Sequence, residues 1–432
     1  MNWAVIILFG SFFVLMAVGV PIAFSIGISA TLTFLLFMSF DQSVFVVAQQ
    51  MASGLDSFTL LAIPFFILAG NIMNRGGLAI RLVALAQVLG GRLPGALAHC
   101  NVIANMMFGS ISGSAVASAA AVGGVMAPLQ KKEGYDPAFS AAVNIASSPT
   151  GLLIPPSTTF IVYSLITGGT SISALFVAGY LPGILMGLSL MMVAGFIAKK
   201  RGYPLMPRPS WREVGITVRD AILPLGLIVV VMGGIVGGIF TATEASAAAV
   251  IYSLFLALIW YGELKIRDLP KIILDSAVTT TTVLLMIGAS MAMSRAMAFG
   301  DIPYTVSDLL LGLSDNPLVV LLLINVALLV VGTFMDMTPA LLIFTPIFLP
   351  VVQNLGMDPV HFGVVMTLNL CIGVCTPPVG SVLFIGCSIA NVPIDRVIRP
   401  LLPFYAVLIA LLLLVTYVPD ISLFLPRLIL NY

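Results

Sequence analysis

The chain alternates long uncharged apolar stretches with short polar ones, on a scale that matches a lipid bilayer. Residues 1–40 contain no charged side chain. As a helix this stretch would run roughly 60 Å, about twice the ~30 Å hydrocarbon core. It therefore predicts two spans, with the turn at Gly19-Val20-Pro21. Further spans are predicted at 57–74, 137–166, 172–198, 221–240, 245–261, 272–293, 359–389 and 401–418. Two stretches break the pattern. Residues 93–130 carry no charge yet have basic residues at both ends, and 316–353 lies between two acidic stretches. Each is long enough to enter and return, with small or helix-breaking residues midway. Both are predicted as re-entrant helical hairpins, whose non-helical tips a membrane tolerates only where they are buried in protein or line a cavity.

Basic residues in short loops mark the cytoplasmic side. The clearest such loop is 199–219, with Lys199, Lys200, Arg201, Arg208, Arg212 and Arg219. Others lie around Lys265, Arg267 and Lys271, at Arg396 and Arg399, at Arg75, Arg81 and Arg92, and at Lys131 and Lys132. The stretches 301–315 and 357–358 carry acids without bases and are placed outside. The chain then divides into N-terminal helices (1–56), a first repeat (57–198, hairpin about 93–130, broken helix 137–166), a cytoplasmic basic loop (199–220) and further helices (221–270). A second repeat (271–400, hairpin about 316–353, broken helix 359–389) and a C-terminal helix (401–432) complete it.

Composition agrees. Among 432 residues, 18 are Lys or Arg and 17 Asp or Glu, 8% in all, where a soluble domain has about a quarter. With 60% hydrophobic residues and a mean hydropathy of +1.16, a soluble fold could not cover its surface. The chain reads as an all-α polytopic membrane protein. A net charge of +1 gives no electrostatic footprint for nucleic acid. Cys100, Cys371, Cys375 and Cys387 sit in apolar surroundings and suggest no disulfide framework. His99 and His361 are too few and too far apart for a metal site. No basic segment precedes the first apolar run, so a removable signal peptide is not expected.

The two halves resemble each other. Residues 128–156 align without gaps to 350–378, with identities at Pro128/Pro350, Gly134/Gly356, Asp136/Asp358, Pro137/Pro359, Val143/Val365, Gly151/Gly373, Pro155/Pro377 and Pro156/Pro378. Chance at this composition gives roughly two such pairs. Ala69, Met73 and Arg75 also match Ala289, Met293 and Arg295 after a two-residue shift. Span parity places the copies in opposite orientation. Inverted repeats with broken helices are the signature of a secondary transporter, with its site at the midplane between them.

Each repeat has two facing interruptions. The first tip is GSISGS from Gly109 to Ser114, opposite SSPTG (Ser147 to Gly151) and Pro155-Pro156. The second is GTFMDMTP from Gly332 to Pro339, opposite GVCTPP from Gly373 to Pro378. Proline frees a carbonyl one turn back, and glycine lets the backbone unwind. Freed carbonyls and Ser or Thr hydroxyls are hard oxygen ligands that suit Na+, while half-helix N-termini suit a carboxylate. Asp336 is the one carboxylate inside the second hairpin. An intramembrane acid is a functional candidate; alternatively it lies shallower and caps the helix that begins at Met337-Thr338-Pro339. Glu244 reads as a helix N-terminal charge, Arg295 as an interfacial anchor, and Cys371 with Cys375 as core packing.

The order of GSISGSA, KKEGYDPAFSAAVNIASSPTGLLIPPS, a second hairpin and MDPVHFGVVMTLNLCIGVCTPPVGS resembles the large membrane (M) subunit of tripartite ATP-independent periplasmic (TRAP) transporters, over essentially the whole chain. The resemblance implies an inverted-repeat, elevator-type secondary transporter of the bacterial inner membrane, in which a two-hairpin transport domain moves against scaffold helices. It implies a small four-helix (Q) subunit, a periplasmic substrate-binding (P) protein, and Na+-driven uptake of an organic acid such as a C4-dicarboxylate or sialic acid. The small subunit is expected as a separate chain, since no four-helix segment precedes Met1. One implied Na+ site uses Ser112, Gly113, Ser114, Ser147, Ser148 and Thr150; the other uses Gly332, Thr333, Asp336, Gly373, Cys375 and Thr376. Implied substrate contacts are Ser110, Pro155, Pro156, Thr338, Pro377 and Pro378. Only the second tip carries an acid, so equal coordination in the two sites is not expected. A single-component Na+/carboxylate symporter is the alternative. A membrane enzyme would need clustered acids or histidines at membrane depth, and two opposed tips argue against an open channel.

Overall fold

The computed structural model describes residues 3–207, 209–314, 316–430 and 432; Arg208 of the basic loop and residue 315 of the acidic stretch lie outside the described residues. The uncharged N-terminal stretch folds as α1 (Trp3–Ala17) and α2 (Ile22–Phe34), which turn at Gly19 and Pro21 as the sequence predicts. Next come α3 (Phe40–Leu55), α4 (Ala62–Arg75) and α5 (Leu78–Gly90). The first hairpin is α6 (Ala96–Ser112) and α7 (Ala115–Lys132). The first broken helix is α8 (Pro137–Ser147), the single turn α9 (Thr150–Leu153) and α10 (Thr158–Ile166). The long α11 (Ile172–Arg201), α12 (Trp211–Val236) and α13 (Ala242–Leu254, extended by a π-helical turn at Phe255–Trp260) lead to α14 (Leu269–Phe299) and α15 (Ile302–Leu313). The second hairpin is α16 (Pro317–Phe334) and α17 (Met337–Asn354), and the second broken helix is α18 (Pro359–Gly373) and α19 (Ser381–Ala390). The chain closes with α20 (Ile394–Tyr417) and α21 (Asp420–Leu430). Among the described residues, eight helical segments are long and apolar enough to cross a membrane, or nine if the bent pair Pro137–Leu153 and Thr158–Ile166 counts as one span.

The centre of the molecule is made of the two broken helices. Every residue of α8 from Ala138 to Ser147 and of α18 from Val360 to Gly373 is buried. A helix that is buried on all sides must be apolar on all sides or hydrogen-bonded where it is polar. Peripheral helices expose apolar faces instead, as α12 does at Ile222 and Val229, which a hydrocarbon environment favours. The two halves interlock: α19, after the second break, packs on α7 and α8, and α10, after the first, packs on α17 and α18. Tyr163 of α10 donates to the Pro359 carbonyl at 2.7 Å, and its ring lies where a side chain on Gly363 would stand.

Two segments differ from the sequence reading. Residues 78–90, read as part of a basic loop, form α5, and Arg81 lies over the Tyr261 ring at 3.8 Å and pairs with Glu263. Arg212 and Arg219 ride on α12, so the connection after α11 is shorter than 199–220. In each case isolated charges on an amphipathic helix mimic a loop, because charge spacing alone does not distinguish a polar face from a polar segment. Glu244 closes a capping box with Thr241, its carboxylate accepting from the Thr241 N–H at 2.8 Å. Arg295 lies over the Phe299 ring, 5.1 Å from its centroid.

Candidate functional site

Both hairpin tips are tighter than the sequence suggests, because helical hydrogen bonding persists almost to the turn. In the first, α6 continues through Ser112, and only Gly113 (φ 61°) and Ser114 leave the helix. A left-handed residue closing a helix is the position where glycine is least costly. The Ser114 hydroxyl then caps α7 by accepting from Ala117 N–H at 3.2 Å. In the second, Met335 and Asp336 are extended and α17 starts at Met337. Asp336 occupies the N-cap position, but its side chain makes no capping bond. It accepts from the Ser381 hydroxyl at 3.1 Å, at the start of α19.

Each tip is seated on the opposing break by glycine on glycine. A methyl on Gly109 would stand 2.8 Å from Gly151 Cα, and one on Gly332 would stand 3.1 Å from Gly373 Cα. Small residues let membrane helices approach this closely. The breaks follow different courses. The first keeps the turn α9 before its 51° bend, whereas the second runs non-helically over 374–380. The Pro155–Pro156 and Pro377–Pro378 peptides are both cis.

The tips meet in one cavity of about 100 Å³, which brings Gly113 and Ser114 of the first hairpin together with Asp336 and Thr338 of the second. Thr158, Thr159 and Ser381, from the two post-break helices, complete it. Thr158 donates to the Gly113 carbonyl at 3.2 Å, and Thr159 reaches Met337 Sδ at 3.2 Å. The site is thus assembled across the two halves.

The remaining candidate hydroxyls, Ser112 apart, share one feature. Ser147 donates to Val143 O (2.7 Å), Ser148 to Ile145 O (3.2 Å) and Thr150 to Ser147 O (2.6 Å). Thr333 donates to Val330 O and Thr376 to Ile372 O, both at 2.7 Å. Ser112 reaches only Ser114 O, at 3.4 Å. A hydroxyl whose hydrogen serves its own helix keeps lone pairs for another partner. Three groups of candidates lie elsewhere. Ser110 donates to Met107 O and sits at the glycine crossing. The Cys375 thiol lies on Ile145 O at 3.1 Å and its carbonyl accepts from Tyr405, so both polar atoms tie the second break to neighbouring helices. Cys371 likewise lies on Pro149 O at 3.5 Å. Pro155, Pro156, Pro377 and Pro378 shape the breaks but do not line the shared cavity.

Sequence reasoning missed the asparagines. Asn105 of α6 lies within reach of Asn101 Oδ1, Asn144 Oδ1 and Ser147 Oγ (2.7, 3.1 and 2.8 Å) and accepts from Ser118 at 2.7 Å. In the second half, Asn369 donates to Asn325 O and Oδ1 at 2.9 Å, and its own buried Oδ1 has no donor. Their signal was present: buried amides one or two turns before Gly109, Gly151, Gly332 and Gly373. Replacing Asn105 by alanine is expected to destabilise the protein by about 1–3 kcal/mol, because Asn144, Ser147 and Ser118 would lose a buried partner. A lowered melting temperature, read by fluorescence of the purified protein, checks this; an unchanged one would remove the amide cluster as a structural support.

A family model described as the DctM component of tripartite ATP-independent periplasmic transporters matches residues 9–421. The chain is 58% identical over 426 residues to the uncharacterized protein YgiK of Salmonella typhimurium, covering 99% of this chain and 98% of that one. It is 40% identical to the C4-dicarboxylate TRAP transporter large permease protein DctM of Pseudomonas aeruginosa, over 93% and 94% of the two chains. It is 39% identical to the sialic acid TRAP transporter large permease protein SiaM of Vibrio cholerae, over 97% of each. Among solved structures it matches the YdaH transporter of Alcanivorax borkumensis, with a TM-score of 0.61 over 88% of each chain and 13% identity. At that identity the likeness concerns the fold.

Proposed function

The chain belongs to the DctM family of tripartite ATP-independent periplasmic transporters, as a multi-pass protein of the bacterial inner membrane, and from that premise we propose that it imports an organic acid by Na+ symport. The observation that carries the reading is the cavity in which Ser114 of one tip and Asp336 of the other converge. Freed backbone and hydroxyl oxygens there suit Na+, and the helix starts after the breaks suit a carboxylate. One Na+ site draws on Ser112, Gly113, Ser114, Ser147, Ser148 and Thr150, and the other on Gly332, Thr333, Gly373 and Thr376, with Asp336 contributing charge at the shared cavity. The Asn369 Oδ1 atom is a further oxygen for the second site. The acid contacts Thr338 and the helix starts at Thr158 and Ser381.

The hairpins are re-entrant and move with α8–α10, α18 and α19 as an elevator against the peripheral helices. A small four-helix membrane subunit steadies the scaffold, and a periplasmic binding protein delivers the acid. The names of the Pseudomonas and Vibrio relatives make a C4-dicarboxylate or sialic acid the first substrates to offer. Two Na+ with a monoanion carry one net charge inward and gain ~2.3 kcal/mol per 100 mV; with a dianion the cycle is electroneutral.

The test is uptake into proteoliposomes holding this chain and its small subunit, with labelled succinate or N-acetylneuraminate, an inward Na+ gradient, and the binding protein present or absent. Uptake is expected to need both. Uptake with Na+ alone would assign the chain to single-component symport. Ser114→Ala is expected to raise the Na+ concentration for half-maximal uptake a few-fold, about the worth of one neutral oxygen ligand; an unchanged Na+ titration would remove Ser114 from the ion site.

A further inference from the structure

A second and larger cavity, of about 500 Å³, opens at the other end of the helices that line the tip cavity. The helices α7 and α19 pack on each other. Their first residues, Ala115 and Val382 among them, line the tip cavity, whereas Pro128 and Lys131 of α7 and Ile389 of α19 line the larger one. Lys131, Arg396 and the nearby Arg201 put this end on the basic side, which the distribution of Lys and Arg places in the cytoplasm.

The chemistry of this cavity is that of an anion site. Lys131 and Arg396 both line it, and among the described residues neither has a carboxylate in ion-pair contact. The lining carboxylate, Asp136, is already engaged: Oδ2 holds Arg201 at 2.7 Å and Oδ1 accepts from Ala138 N–H at 3.0 Å. Ser140 lies in the wall of the cavity at 5% exposure, and its buried hydroxyl has no hydrogen-bond partner among the described residues. A buried hydroxyl without a partner is uncommon and calls for one. Pro128 and Ile389 supply apolar wall, and the volume lies in the range that holds a small organic molecule.

We propose that this cavity is a cytoplasmic release subsite for a carboxylate-bearing organic acid, with Lys131 and Arg396 as its charge partners. The proposal rests on the import reading and adds to it where the acid pauses before it leaves on the cytoplasmic side. The apolar wall favours an acid with a carbon body over a bare oxyanion, and a lipid phosphate is the other source of the same charge.

The experiment is a thermal titration of this chain with its small subunit in nanodiscs of neutral lipid, in Na+-free potassium buffer, where the ion-dependent tip site does not contribute. Succinate, N-acetylneuraminate and inorganic phosphate are added in turn. One of the two organic acids is expected to raise the melting temperature saturably. Its half-saturation should rise about tenfold in Lys131→Gln/Arg396→Gln, the loss of a charge-assisted bond. No titration with either acid, or equal titrations in wild type and variant, would overturn the proposal. Phosphate acting as well as the acids would overturn the organic assignment. A response that appears only when phosphatidylglycerol is added to the disc would assign the cavity to lipid and overturn it too. Uptake measured in parallel separates the two readings: binding without uptake defeats import alone, and uptake with no binding here defeats the subsite alone.

Discussion

Asp336→Ala is expected to raise the Na+ concentration for half-maximal uptake by about tenfold or more, the largest shift of any single side chain in the shared cavity. Asp336 is exposed at the turn of the second hairpin and does not cap α17. Among the described residues its carboxylate has one hydrogen-bond donor, the Ser381 hydroxyl. A carboxylate that caps no helix and, among the described residues, pairs with no cation of the chain retains most of its capacity for an external cation. Removing it deletes formal charge, whereas removing Ser114 or Thr333 deletes only a neutral oxygen. Asp336→Asn keeps the shape and loses the charge, so it should behave nearly as badly as alanine. Ser381→Ala should cost less, since it frees the carboxylate without removing it. Na+ titrations of uptake in proteoliposomes check all three. A titration curve for Asp336→Asn that overlays wild type would exclude the carboxylate from coupling.

Gly151→Ala should be the most damaging substitution in the backbone of the site. A methyl there would overlap Gly109 Cα and its carbonyl carbon outright. The atoms met are backbone, so no side chain can swing away. Overpacking of this kind costs about 1–3 kcal/mol, and the relief available is to lift the first hairpin off the break. That movement would separate Ser112–Ser114 from Ser147, Ser148 and Thr150, so uptake should fall with stability. The equivalent positions grade the effect. A methyl on Gly373 would stand 2.6 Å from Gly332 Cα, and one on Gly332 3.1 Å from Gly373 Cα, while one on Gly124 would meet nothing within 4 Å. The expected order of damage is therefore Gly151→Ala, then Gly373→Ala, then Gly332→Ala, with Gly124→Ala near wild type. Melting temperatures and initial uptake rates check the order. Wild-type uptake by Gly151→Ala would show that the glycine seat is dispensable.

The two hairpins and the two breaks were legible in the sequence because each has a local cause. An uncharged stretch too long for one span must turn, and Gly, Pro and Ser mark where. The identities from Pro128/Pro350 to Pro156/Pro378 matched helices that the structure buries at the centre, α8 and α18. The same local logic misjudged residues 78–90, where Arg81 lies on helix α5. It also widened both tips, because a glycine or serine next to a turn need not itself leave the helix, as Gly109 and Ser110 show.

What the sequence alone determined, then, is whatever depends on neighbours within a few turns: membrane class, the lengths of the apolar runs, the positions of the breaks, and the oxygen-rich chemistry at them. The tertiary structure decided which of those oxygens face one another. Asp336 found Ser381 rather than its own helix end, the Cys375 thiol turned to Ile145 across the two halves, and Asn105 gathered Asn144, Ser147 and Ser118. Only the fold placed Lys131, Arg396 and Ser140 around one cavity. Periodicity and breakers act along the chain, over distances that a helix sets, whereas these partners are joined by packing between helices. That packing depends on which small residues allow two backbones to touch, and no spacing along the chain encodes it.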